Sequence, residues 1–274
     1  MKKIPLVEYA HDSGTFTQEV SDSIEYLVEH DVGVKVGLTA IHTYDQAGRP
    51  IAKTILHRVH GKEDEKKGTK PAKKRKRGRL IWDAKFGDLT HQVIGAVEGI
   101  VQLSVYGLTI KALDDTVMLA AAVKARDTAY ARILAGFEEK DDQGEKKIPP
   151  PRPILFGVTD LSSSGKIDFE NTVLRRAERI SKAGFDGIVV PGNLLGPIKK
   201  QFPHLITLVV GIRPQWATYI PNDDQKRTLT HLEAAELGAD HLVIGRPISC
   251  APDQMKALHD ILNELKGFSE LALS

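Results

Sequence analysis

The stretch Leu80-Ile-Trp-Asp-Ala-Lys-Phe-Gly-Asp88 places an apolar run directly before Asp83, Lys85 and Asp88. If that run is a β-strand, alternation sends the side chains of Asp83 and Lys85 to the same face. A carboxylate and an ammonium on one buried face must pair, and at ~4 Å and an effective dielectric of ~20 they attract by roughly 4 kcal/mol. A second lysine, Lys35, ends the apolar segment Val34-Lys35-Val36. Consecutive strands are usually neighbours, so Lys35 could reach Asp83 and complete an alternating chain of Lys35, Asp83, Lys85 and Asp88. Such a chain favours a charged ammonium at Lys85, which suits a general acid. A purely structural ion pair would leave the same spacing.

A second group of residues has the composition of an anion site. It comprises Val209-Val-Gly-Ile-Arg-Pro-Gln215, Asp223-Asp-Gln-Lys-Arg227 and Gly238-Ala-Asp-His-Leu-Val-Ile-Gly-Arg-Pro247. Arg213 and Arg246 offer forked donors that match phosphate oxygens, and Gly211 and Gly245 permit close backbone approach. A Gly-Arg-Pro turn without a ligand is the competing explanation.

The elements that must hold these groups follow from short continuous apolar runs, as expected of strands buried on both faces. Candidate strands cover residues 4–9, 33–37, 79–83, 103–110, 154–159, 187–190, 205–211 and 241–245. Helical patterns cover 16–29, 120–137, 169–182, 232–237 and 253–266. Strands alternating with helices predict an α/β fold, a closed (β/α)₈ TIM barrel forming a single domain over residues 1–274. A doubly wound open sheet is the alternative, but no GxGxxG follows the first strand. In a barrel, strand carboxyl ends carry catalytic groups, and the loops after strands seven and eight often bind phosphate.

Two segments interrupt the alternation: a basic surface insert at 61–78 and a polar, proline-rich excursion at 138–153. The net charge is only +2, yet residues 62–79 contain ten Lys or Arg against three acids, so the rest of the chain is net negative. The run Lys73-Lys-Arg-Lys-Arg77 has no interleaved aromatics, so base stacking is not indicated and a nucleic-acid partner is not expected. The run reads as a solvated loop, with anionic partner binding or a localisation signal as alternatives. The single cysteine, Cys250, excludes an internal disulfide and a multi-cysteine metal site. With no apolar signal segment after Met1-Lys-Lys and no run of membrane-spanning length, a cytoplasmic protein without membrane contact is expected.

Taken together, these motifs resemble the orotidine 5′-monophosphate decarboxylase family. Asp83, Lys85 and Asp88 satisfy its Asp-x-Lys-x-x-Asp signature, and Lys35 matches its Lys-Val-Gly. The segments 211–215, 224–227 and 243–247 match its Gly-Ile-Arg-Pro-Gln, Asp-Gln-x-Arg and Val-Ile-Gly-Arg-Pro. Val158-Thr-Asp-Leu-Ser-Ser163 is similar to its strand-five motif. The resemblance implies removal of CO₂ from orotidine 5′-monophosphate to give UMP, with no cofactor and no metal, in a homodimer. It assigns Lys85 to protonation of C6, Asp83 to the substrate carboxylate and the lysine, and Asp88 to the partner subunit's site. It assigns Lys35 and Asp12 to ribose hydroxyls and Ser162 to the pyrimidine amide. Arg213, Gln225, Arg246 and the Gly245 amide would hold the 5′-phosphate, a role for which Gln215 competes with Gln225. The sequence departs from the family's usual pattern at Gln92, Val210 and Lys111, where Thr, Pro and His are common. Two other readings stay open: an Mg²⁺-dependent sugar-phosphate decarboxylase or hexulose-phosphate synthase on the same scaffold, and a non-catalytic nucleotide- or RNA-binding barrel.

Overall fold

The computed structural model describes residues 4–11, 24, 26–44, 51–60, 78–112, 115–138, 148–160, 168–217, 220, 223, 225 and 227–271. Eight parallel strands form a closed barrel in sequential order: β1 (Leu6–His11), β2 (Gly33–Val36), β3 (Leu80–Phe86), β4 (Gly107–Lys111), β5 (Ile154–Val158), β6 (Gly187–Pro191), β7 (Ile206–Val210) and β8 (His241–Ile244). β1 pairs with both β2 and β8, which closes the ring. The predicted (β/α)₈ class is therefore the observed one.

Helices follow the strands in the described residues. Thr90–Gln102 follows β3, Thr116–Ala135 follows β4, Phe169–Lys182 follows β5, Leu195–Gln201 follows β6 and Gln254–Leu271 follows β8. Local chemistry sets several of their starts. The Asp115 carboxylate accepts from the amides of Val117 (2.9 Å) and Met118 (3.0 Å), capping Thr116–Ala135. Thr230 and Glu233 form a reciprocal capping box at His231–Glu236. Among the described residues, no helix is long and apolar enough to cross a membrane.

Alternation divides the strand residues between two cores. Val34, Val36, Leu80, Leu108, Leu155, Val190, Val209 and Leu242 face outward into the layer beneath the helices. Ala10, Ile81, Phe156, Val158, Val189, Leu208 and Val243 fill the lumen. Phe156 is the large ring of that inner cluster, and glycines on both neighbouring strands make room for it. A Cβ at Gly107 would lie 2.8 Å from its Cε2, and one at Gly187 2.7 Å from its Cδ1.

The amino end of the lumen is closed by charge instead of hydrocarbon. Fully buried Glu8 accepts from Arg79 Nε at 3.0 Å and pairs with His241 Nδ1 at 2.9 Å, while Arg79 also binds Asp31 at 2.8 Å. The apolar run predicts a first strand over 4–9, but β1 spans Leu6–His11: the polar His11 is buried and stays in the ladder, opposite Val36 of β2. β4 likewise begins at Gly107 and not at 103: Leu103 caps the preceding helix, and Ser104 has left-handed backbone (φ 57°). The predicted helix at 16–29, the insert at 61–78 and the excursion at 138–153 lie wholly or largely outside the described residues.

Candidate active site

The carboxyl ends of the strands surround a cavity of about 220 Å³. Its walls include Lys35 of β2, Asp83 and Lys85 of β3, Thr109 of β4, Asp160 after β5, and Gly211, Gln225, Gly245 and Arg246 around β7 and β8. Val158, Val189, Leu208, Val210 and Val243 provide an apolar floor. Charged and apolar walls thus face each other across a space open at one end.

The charged wall is one connected network. Lys35 Nζ donates to Asp83 Oδ2 at 2.7 Å, and Lys85 Nζ donates to the same oxygen at 2.8 Å. The other oxygen, Oδ1, accepts from the Thr109 hydroxyl at 2.8 Å, and that hydroxyl accepts the Lys85 backbone N–H at 2.9 Å. The Asp83 side chain is 7% exposed against 26% for Lys85, so the carboxylate anchors and the ammonium reaches into the cavity. Burial alone would raise the Asp83 pKa, but attraction to Lys35 and then Lys85, with their hydrogen bonds, wins and holds it well below the ordinary carboxylate range.

Asp83 and Lys85 both face inward by alternation, with Trp82 and Ala84 turned to the outer core, and the ladder is interrupted at the same place. The β3–β4 register runs from Trp82↔Leu108 to Phe86↔Ile110, so β3 carries extra residues that bulge out of the ladder. Lys85 sits at the bulge with φ 50°, a left-handed conformation uncommon outside glycine.

The end of the site at β7 and β8 is also assembled, around an acid. Arg213 grips Asp223 with Nε at 2.8 Å and Nη2 at 2.7 Å, and Arg246 Nη2 lies 3.1 Å from the same carboxylate. The Arg213 hydrogen bonds, against a smaller upward push from burial, lower the Asp223 pKa to about 2. Gly211 has φ +79°, and a Cβ there would meet the Arg227 carbonyl at 2.9 Å, so only glycine suits this turn. Arg227 stacks on Phe169, its Cζ 3.6 Å from the ring centre, and so serves packing.

Among the expected site residues, Lys35, Asp83, Lys85, Gln225, Gly245 and Arg246 line the one cavity. Arg213 is joined to it through Asp223 and does not line it. Asp88 departs from the alternating chain expected within one strand. It is exposed, its Oδ1 accepts the Leu89 amide at 2.6 Å, and among the described residues it forms no ion pair with Lys85. Gln92 is exposed as well. Asp12 and Ser162 lie outside the described residues. Sequence reasoning missed Thr109, Asp160 and Asp223. Asp160 stood in the quoted strand-five motif, and Asp223 adjoined the Asp-Gln-x-Arg motif, so both had a signal; Thr109 had none beyond being polar in an apolar run.

Comparison with known proteins points to one family. The model of the orotidine 5′-phosphate decarboxylase / HUMPS family matches residues 12–261. An orotidine 5′-phosphate decarboxylase of Pseudomonas fluorescens is 33% identical over 195 residues, 68% of this chain and 74% of that protein. One of Pseudomonas aeruginosa is 34% identical over 195 residues, 68% and 75% of the two chains. The crystal structure of an orotidine 5′-phosphate decarboxylase from Lactobacillus acidophilus superposes with a TM-score of 0.65 at 19% identity, over 96% of this chain and 99% of that one, a likeness of fold.

Proposed function

The chain belongs to the orotidine 5′-phosphate decarboxylase / HUMPS family, and from that premise we propose that it converts orotidine 5′-monophosphate to UMP and CO₂ without a cofactor. The observation that carries this reading is the pair of ammoniums sharing Asp83 Oδ2 at the wall of the cavity. The bond from C6 to the substrate carboxylate breaks, its electron pair stays on C6, and CO₂ departs. Lys85 then transfers a proton from Nζ to C6. A fixed cation beside the carbon where negative charge develops stabilises that charge without reorganising at the moment of reaction. Asp83 orients the ammonium and lies beside the substrate carboxylate, and Lys35 binds the ribose together with Asp12. Ser162 binds the pyrimidine amide. Arg213, Arg246, Gln225 and the Gly245 amide hold the 5′-phosphate, whose remote binding energy helps organise the reacting end. Asp223 already engages the two guanidiniums that a phosphate would use.

The product is a pyrimidine nucleotide, so we read the reaction as a step of pyrimidine biosynthesis, and we take the protein to be cytoplasmic. We take the chain as one catalytic domain, a reading supported by the unbroken order of its strands, with 61–78 and 138–153 as surface excursions.

A divalent cation at Asp83 would have to compete with two ammoniums for one oxygen, which favours this reading over an Mg²⁺-dependent sugar-phosphate enzyme. The test is the absorbance loss of orotidine 5′-monophosphate with purified protein, with and without EDTA. Turnover indifferent to EDTA is expected. No turnover would overturn the reading, and turnover abolished by EDTA would transfer the protein to the metal-dependent branch.

Asp88 is read as acting across a homodimer. Exposed apolar side chains surround this end of the barrel: Leu38 and Tyr44 after β2, Leu89 after β3 and Val117 after β4. A partner subunit that covered them would bring Asp88 to the neighbouring site. Mixing inactive Asp88→Ala and Lys85→Ala subunits should then restore partial activity through hybrid dimers. No recovery despite verified subunit exchange would contradict action in trans.

A further inference from the structure

Thr109 is the fully buried polar residue on which both halves of the charged wall converge. Its hydroxyl donates to Asp83 Oδ1 at 2.8 Å and accepts the Lys85 backbone N–H at 2.9 Å. These two bonds use the hydroxyl once as donor and once as acceptor, and each has a separate consequence.

The first concerns the backbone. Between Trp82↔Leu108 and Phe86↔Ile110 the ladder is interrupted, and Lys85 has a left-handed φ of 50°. A backbone N–H displaced from the ladder needs another acceptor, and Thr109 supplies it from the adjacent strand. The second concerns the carboxylate. With Oδ1 tied to Thr109, only Oδ2 is presented to Lys35 and Lys85, and both ammoniums meet that one atom. A carboxylate held on one side only could turn about its terminal torsion, which is broad and soft. The lysine at the bulge could relax likewise.

We propose that Thr109 is a positioning residue for the decarboxylation: its hydroxyl fixes both the backbone of Lys85 and the rotation of Asp83, and so aims the Lys85 ammonium. This inference rests on the decarboxylase reading above. Thr109 acts through those two residues, and the Asp223–Arg213–Arg246 end of the site is attached to different strands. Its loss should therefore change the chemical step and leave phosphate-driven binding intact.

The experiment compares wild type, Thr109→Val, Thr109→Cys and Thr109→Ser with orotidine 5′-monophosphate, alongside thermal unfolding. Valine keeps the branched shape without the hydroxyl, cysteine is a smaller hydroxyl-free control, and serine keeps the hydroxyl. The expected result is a kcat lowered by about 10- to 100-fold in the valine and cysteine variants, the size of effect that small misplacements of reacting groups produce. KM should stay within about threefold, and serine should recover most of the wild-type kcat, because the hydroxyl and its two bonds persist. Valine and cysteine variants with wild-type kcat would overturn the assignment. So would activity lost only in step with folded protein, or a change confined to KM. A wild-type protein that fails to turn over the nucleotide would instead defeat the decarboxylase reading itself, and this inference with it.

Discussion

Lys85→Ala should lower UMP formation by about 10³-fold or more while the protein still folds and still binds UMP. A positioned general acid contributes about 10²–10⁴-fold, and Lys85 is also the cation closest to the developing charge in the mechanism, a further contribution of the oxyanion-hole kind. The fold should tolerate the change because Asp83 does not lose its only partner: Lys35 Nζ remains 2.7 Å from Oδ2 and the Thr109 hydroxyl 2.8 Å from Oδ1. Binding should persist because the arginines stand at β7 and β8 and not at β3. Turnover by steady-state absorbance and affinity by calorimetry with UMP separate the two effects. Retained turnover would remove Lys85 from the chemistry, and lost binding would mean that it serves mainly as a nucleotide anchor.

Asp83→Asn should be more damaging to the molecule as a whole. Two ammoniums now share one carboxylate oxygen at 2.7 and 2.8 Å. Neutralising that acid leaves two like charges close together in a buried setting, a loss that for buried pairs is roughly 3–5 kcal/mol. Activity should fall by about 10²-fold or more, because the ammonium loses both its orientation and its counter-charge. The pH dependence carries a distinct sign. In the folded protein Asp83 titrates well below its ordinary value of 3.8, so the unfolded chain takes up its proton first. The stability contributed by Asp83 is fully present above about pH 5 and is lost progressively as acid brings the pH down towards the folded pKa. In the asparagine variant that part of the acid-induced loss should vanish, leaving a flatter, lower curve of urea midpoint against pH below about 5. A variant with wild-type stability at neutral pH and an unchanged acid limb would contradict the assignment of Asp83 as the anchor of both lysines.

Much of this arrangement was legible in the residues because the physics is local. Asp83 and Lys85 share a face through simple alternation, and Lys35 reaches them because its strand is the next one in the barrel. Glycines and arginines after the last two strands mark a candidate anion site without knowledge of the loops. Other features depend on contacts that no local pattern encodes. The bulge at Lys85 follows from a mismatch of register between β3 and β4, and Thr109 matters because that mismatch leaves an amide for it to satisfy while its own proton reaches Asp83 Oδ1. Arg213 and Arg246 were legible as donors, but their common hold on Asp223 is a loop contact across ten residues for one of them and a contact from the first residue of the short helix after β8 for the other. The boundary of the first strand departs from the apolar run for a related reason: His11 looks polar and hence exposed, yet it is buried. Glu8, within the strand, is buried too, against Arg79 and His241, and Gly33 leaves it space: a Cβ there would fall 1.7 Å from its Oε2. Asp88 had the right spacing for the alternating chain, but the chain turns after Phe86 and carries that carboxylate to the surface.

The most direct measurement is a crystal structure of the protein with UMP bound. The expected result has C6 of the pyrimidine within hydrogen-bond reach of Lys85 Nζ, about 2.6–3.2 Å, with Asp83 still joined to both lysines and the 5′-phosphate between Arg213 and Arg246. A nucleotide seated with its ring away from Lys85, or a Lys85 side chain turned out of the cavity, would contradict it.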